Sequence, residues 1–113
     1  MTHRVPKPWG EEIIFAHTKR YAGKILKVRA GESLSLQYHE HKEESLYLYQ
    51  GRLRAQIQGP SGSEDRVLEP GETLHFPPGT RHRLEALTDV VLFEVSTPEL
   101  DDVVRLEDRY GRA

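Results

Sequence analysis

Two groups of residues in this sequence carry side chains able to share one metal ion. The first is Gln37-x-His39-x-His41 followed by Glu44, set between Gly31 and Gly51. The second is Gly71-x5-Pro77-x-Gly79-x2-His82. Imidazole nitrogens and carboxylate oxygens ligate divalent cations, and an amide oxygen can join them. Residues two apart in a strand face the same way, so Gln37, His39 and His41 point together. Holding such groups inside a small barrel is costly unless something binds them, and a divalent ion is the simplest partner. Glu44 has the wrong parity and joins only if the chain kinks near Lys42-Glu43, whereas Glu43 has the right parity and is the lesser candidate. Pro77-Pro78-Gly79-Thr80 reads as a rigid turn followed by a permissive one, which aims His82 back across the barrel.

The expected metal set is Gln37, His39, Glu44 and His82. His41 is either a ligand in place of Gln37 or an unligated imidazole beside the ion. The chain has no cysteine, so the ligand sphere is nitrogen and oxygen only, which suits one Zn, Mn, Fe, Co or Ni ion. Four protein ligands on an ion that accepts five or six leave room for substrate oxygens. His3 and His17 read as surface residues. His75 reads the same way, with a supporting role open to it.

The elements that must position these groups are short strands. Ile25, Lys27 and Arg29 alternate with Leu26 and Val28, and Leu34, Leu36 and Tyr38 alternate with Ser35, Gln37 and His39. Leu53, Ala55 and Ile57 alternate with Arg54, Gln56 and Gln58, and Val90–Val95 is apolar apart from Glu94. Nine glycines and seven prolines punctuate these runs, which reads as an all-β sandwich or barrel. Gly59–Asp65 is expected to be the clearest and most mobile internal loop, joining a strand over Arg52–Gln58 to one over Arg66–Glu69. Pro98–Val104 is the one window with a hint of helical period. The charged stretch Glu99–Arg112 is expected to be a partly ordered tail or a strand covering a sheet edge.

At 113 residues the chain is expected to form one domain over residues 1–113 with one core. Hydrophobic residues are 36% and charged residues 30%, a globular composition. The formal net charge of -2 argues against a nucleic-acid partner, which would need a basic face. No apolar run is long enough for a membrane span and no signal segment is visible, so the expected location is cytoplasmic.

At these residues the chain resembles a cupin, a double-stranded β-helix (jelly-roll) barrel. Two positions depart from the usual cupin motifs: Gln37 stands where most place a first histidine, and Ala86 where the second motif often ends in asparagine. Four strings narrow the likeness. They are Pro8-Trp9-Gly10, Gly31-Glu32-x-Leu34-Ser35-Leu36-Gln37-x-His39-x-His41, Gly79-Thr80-x-His82-Arg83-Leu84-Glu85 and Asp101-Asp102-Val103-Val104-Arg105-x-Glu107-Asp108-x-Tyr110-Gly111-Arg112. They are similar to the C-terminal cupin domain of type II mannose-6-phosphate isomerases, a domain that usually follows a nucleotidyltransferase domain.

The resemblance implies a metal-dependent aldose–ketose isomerase of a sugar phosphate, mannose 6-phosphate to fructose 6-phosphate. Such a reaction needs a base, an electrophile and a cationic anchor. His41 is the first choice of base, since its unperturbed pKa of about 6.5 suits proton transfer near neutrality, and Glu43 and Glu85 are weaker choices. Lys27, Arg29, Arg54, Arg81 and Arg83 are the candidate anchors. The competing readings are a non-catalytic or regulatory sugar-binding cupin and an Fe(II)-dependent oxygenase. Trp9, Tyr47 and Tyr49 read as core or interface residues, and a homodimer is expected, with the segment around Trp9 contributing.

Overall fold

The computed structural model describes residues 2–113, and the described chain folds into eleven strands. They are β1 His3–Lys7, β2 Gly10–His17, β3 Ala22–Val28, β4 Leu36–Tyr38, β5 Glu44–Gln50, β6 Leu53–Gly59, β7 Gly62–Leu68, β8 Thr73–Phe76, β9 Arg81–Ala86, β10 Val90–Ser96 and β11 Val104–Glu107. Every pairing is antiparallel. One sheet runs β1-β2-β3-β10-β5-β8 and the other β11-β4-β9-β6-β7. Two facing antiparallel sheets make the jelly-roll barrel that the family resemblance implied. Among the described residues, no helix is long and apolar enough to cross a membrane.

The period-two alternation puts one face of each strand inside. Leu26 and Val28 of β3, Leu46 and Leu48 of β5, Leu53 and Ala55 of β6, Leu84 and Ala86 of β9 and Leu92 of β10 are all buried in one core. Trp9 belongs to that core at 3% exposure. Tyr47 and Tyr49 lie outside, stacked with Phe93 at ring-centroid distances of 6.2 and 5.0 Å. Gly51 turns β5 into β6 at φ 92°, and a Cβ there would sit 2.2 Å from the Asp89 carbonyl oxygen. No side chain fits at that motif glycine.

Two expectations about local structure are corrected, and a third is met by one of its two alternatives. Gly59–Asp65 is not a loose loop: β6 pairs with β7 down to Gly59 opposite Gly62, so only Pro60 and Ser61 turn. Gly at both flanks permits so tight a reversal. Pro98–Val104 forms no helix and ends by entering β11. The C-terminal stretch supplies a strand, with β11 pairing along β4 and covering that sheet edge.

Candidate metal centre

β4 ends at Tyr38, one residue before His39, and there the chain leaves the five-stranded sheet for the six-stranded one. It bends at Glu40 and His41, slightly earlier than the Lys42-Glu43 kink expected, and β5 begins at Glu44. The bend resets the strand parity. His39 on one side of it and Glu44 on the other both turn inward, with exposures of 5% and 3%. Asp102 holds the bend. Its carboxylate accepts the backbone N–H groups of Glu40 at 3.1 Å, His41 at 2.7 Å and Lys42 at 2.9 Å.

His82 enters from β9 as a buried residue between the exposed Arg81 and the half-buried Arg83. The turn before it is tied to the bend, because the Gly79 N–H donates to the His39 carbonyl at 2.7 Å. Phe76 stacks on the His82 ring at 4.0 Å and 11°, which fixes the ring plane.

The three side chains converge, with their candidate ligand atoms within 4.8 Å of one another. His39 Nε2 and His82 Nε2 each lie 3.3 Å from Glu44 Oε1. Ligands about 2.1 Å from a common ion stand roughly 3.0–3.4 Å apart, so these spacings suit a single divalent cation. Each imidazole uses its other nitrogen on a carbonyl oxygen, which can only accept. His39 Nδ1–H donates to Asp102 O at 2.5 Å and His82 Nδ1–H to Thr80 O at 2.9 Å. In the neutral rings both Nε2 lone pairs then face the Glu44 oxygen. His39 Nε2 is buried with no hydrogen-bond partner among the described residues. A cation would satisfy it, so the donor set fits a metal, and His39, Glu44 and His82 could hold one. Gln37 sits directly opposite His82 in the β4–β9 register and lines the same cavity. Its Oε1 accepts the Ser35 hydroxyl at 2.7 Å.

Behind Glu44 runs a buried chain of charges that sequence reasoning missed. Lys42 Nζ lies 3.1 Å from Glu44 Oε2 and 3.2 Å from Glu94 Oε2. Lys24 Nζ lies 3.9 Å from Glu94 and 2.9 Å from Glu12. Burial by itself would raise the Glu44 pKa. The two imidazoles and Lys42 outweigh that and hold the carboxyl well below the usual carboxylate range. Burial, followed by the Glu44 charge, pushes Glu94 up to about 7. Burial opposes the charge on Lys42, but Glu94 and Glu44 overcome it and raise its pKa.

These groups line a cavity of about 220 Å³ that opens beside the His–Glu–His cluster. Lys7, Asp101, Arg105 and Arg112 complete its charged wall. Arg112 is fixed by a two-pronged bond to Asp108 at 2.9 and 3.0 Å. Arg105 keeps a buried Nε with no hydrogen-bond partner among the described residues.

Several expected residues are placed elsewhere, and parity is the reason. His41 is exposed at the tip of the bend and does not line the cavity, so it is corrected both as base and as ligand. Glu43 faces outward and bonds His75 Nε2 at 2.6 Å. Glu85 is on the outer face of β9, 3.7 Å from Arg54 and 3.8 Å from Arg109. None of the five expected anchors reaches the cavity. Lys27 pairs with Glu11 at 3.9 Å, Arg29 donates to Pro8 O at 2.6 Å and Arg54 grips Asp65 at 2.6 and 3.0 Å. Arg81 lies over the Tyr38 ring, and Arg83 reaches Glu107 at 3.3 Å.

A family model described as "Mannose-6-phosphate isomerase C-terminal" matches residues 1–108. The chain is 38% identical to mannose-1-phosphate guanylyltransferase ManC of Salmonella typhimurium over 99% of its own length and 24% of that protein's. It is 32% identical to the xanthan biosynthesis protein XanB of Xanthomonas campestris over 96% of its length and 24% of that protein's. The chain thus spans about a quarter of these relatives, and their names describe the whole proteins. Among solved structures, KdgF from Halomonas sp. superposes with a TM-score of 0.75 at 26% identity, covering 89% of this chain and 90% of that one. Oxalate decarboxylase from Bacillus subtilis, a protein with Mn(II) centres, superposes with a TM-score of 0.84 at 20% identity, covering 99% of this chain and 32% of that one. The latter likeness shows the cupin fold alone.

Proposed function

The chain belongs to the mannose-6-phosphate isomerase C-terminal family, and from that premise we propose that it is a metal-dependent aldose–ketose isomerase of a sugar phosphate, interconverting mannose 6-phosphate and fructose 6-phosphate. The observation that carries this reading is one cavity lined both by His39 and Glu44 of the His39–Glu44–His82 cluster and by a guanidinium, Arg105, whose buried Nε has no partner among the described residues. A divalent ion held by His39, Glu44 and His82, with Gln37 as a fourth donor, supplies Lewis acidity to the carbonyl and hydroxyl oxygens of a sugar. Mn suits an all nitrogen and oxygen donor set and is the first metal to test.

The chain's own groups do the rest. Arg105 grips the phosphate through paired N–H donors, while Lys7 and Lys24 are matched by Glu12 and Arg112 by Asp108. Glu94, a cavity carboxylate that shares Lys42 with Glu44, takes the proton from the hydroxyl-bearing carbon beside the carbonyl and delivers it to the former carbonyl carbon, while the hydroxyl proton passes to the former carbonyl oxygen. Lys42, between Glu44 and Glu94, balances both charges.

The test is a mannose 6-phosphate to fructose 6-phosphate assay on protein stripped of metal and then restored with Mn, Zn, Co, Ni or Fe(II). Conversion that needs metal and is lost in His82→Ala supports the isomerase. Tight binding without turnover under every metal would instead favour a sugar-binding module.

A further inference from the structure

We propose that Asp102 is the positioning residue of the metal centre: the C-terminal segment assembles the site by clamping the bend that brings His39 and Glu44 to one ion. This rests on the metal reading above, and what it adds is the origin of the site's geometry. His39 and Glu44 are five residues apart, and an unbroken strand would point them to opposite faces. The turn at Glu40 and His41 removes that conflict, yet it leaves three successive N–H groups without strand partners. All three are satisfied by one carboxylate, through Asp102 Oδ1 to Glu40 N at 3.1 Å and Oδ2 to His41 N at 2.7 Å and Lys42 N at 2.9 Å. A cluster of backbone N–H groups on a carboxylate is a strong and directional contact.

The same residue also acts on a ligand directly. Its main-chain oxygen accepts His39 Nδ1–H at 2.5 Å, which leaves Nε2 free to face Glu44. Two features of the centre, the placement of Glu44 relative to His39 and the tautomer of His39, therefore trace to Asp102. Asp102 is not among the residues that line the cavity, although its neighbours Asp101 and Val103 are. Three residues further on, the same segment delivers Arg105 to the cavity, so the elements that hold the metal ligands and the anion anchor are continuous in the chain.

The test uses Co(II) as the probe, with affinity from chelator competition and geometry from the visible spectrum. Asp89 is the control, because its carboxylate also caps a turn, accepting the Ala30 N–H at 2.8 Å, but makes no contact with the site. Asp102→Ala should weaken Co(II) about 10- to 100-fold and alter the spectrum. Asp102→Asn should lose less, and Asp89→Ala should stay within about twofold with an unchanged spectrum. In metal-free protein, amide hydrogen exchange at residues 40–42 should accelerate in both Asp102 variants and not in Asp89→Ala. Wild-type affinity and spectrum in folded Asp102→Ala would overturn the proposal, as would an equal loss in Asp89→Ala. Should Asp102→Ala fail to fold, Asp102→Asn and its exchange rates carry the decision. Should the wild-type protein take up no Co(II), the metal reading falls, and exchange at residues 40–42 still decides whether Asp102 holds the bend.

Discussion

Loading the centre with metal should raise the melting temperature by an amount the structure bounds. The three ligand atoms are already gathered in the folded chain, with both imidazole nitrogens 3.3 Å from the carboxylate oxygen, and the unfolded chain has no such arrangement. Binding therefore favours the folded state. At a free-metal concentration about 100 times Kd the gain is about 2.7 kcal/mol, and at about 1,000 times Kd it is about 4.1 kcal/mol. Unfolding entropy of about 2.1 cal/mol/K per residue gives a chain of this length about 0.24 kcal/mol/K. The melting temperature should then rise by about 11 °C in the first case and about 17 °C in the second. Calorimetry of chelator-treated protein, titrated with Mn or Zn, measures this. Glu44→Gln removes the shared carboxylate and should abolish most of the rise. Its metal-free form should also melt below wild type, because Lys42 keeps only Glu94 as a partner for its buried charge. A wild-type rise that persists undiminished in Glu44→Gln and His82→Ala would refute the reasoning, since metal would then be binding elsewhere.

Other outcomes follow from the same geometry. Arg105→Met should raise KM for mannose 6-phosphate about 10- to 100-fold, the worth of about 1.5–3 kcal/mol for hydrogen bonds to a charged group, while Arg83→Met, on the outer face, should change it less than about twofold; steady-state kinetics separates the two. Leu48, fully buried, should cost about 2–5 kcal/mol on replacement by Ala, read by urea unfolding. Gly51→Ala should also destabilise strongly, because the added carbon meets the Asp89 carbonyl and the backbone sits at positive φ. Asp108 has its carboxyl drawn down to about 2 by its bonds to Arg112. Its contribution is present above the unfolded value near 4 and is lost as pH falls through about 2, so the acid-induced drop in urea midpoint should shrink in Asp108→Asn.

The alternation of apolar residues made the strands and the barrel legible, and the two histidine-bearing motifs made the three candidate metal ligands legible. The bend was legible too, since Glu44 could join the site only if strand parity broke. The errors came from not carrying parity through to the cations. If His82 points inward, then Arg81, Arg83 and Glu85 must point outward, and if Leu26 and Val28 are core, Lys27 and Arg29 are not. The same rule would have turned Lys24 inward with Leu26 and Glu94 inward with Leu92. A lone glutamate at an inward position in the apolar run Val90–Val95 was the available signal for the buried charge chain. Asp102 and Arg105 had no such local signal. Their roles depend on β11 folding back along β4, a contact between segments about 65 residues apart that no periodicity encodes.

The most direct measurement is anomalous diffraction from crystals grown with Mn or Zn. The account predicts one strong peak within about 2.0–2.3 Å of His39 Nε2, His82 Nε2 and Glu44 Oε1. A peak elsewhere, or none at saturating metal with the two imidazoles still turned on Glu44, would contradict it.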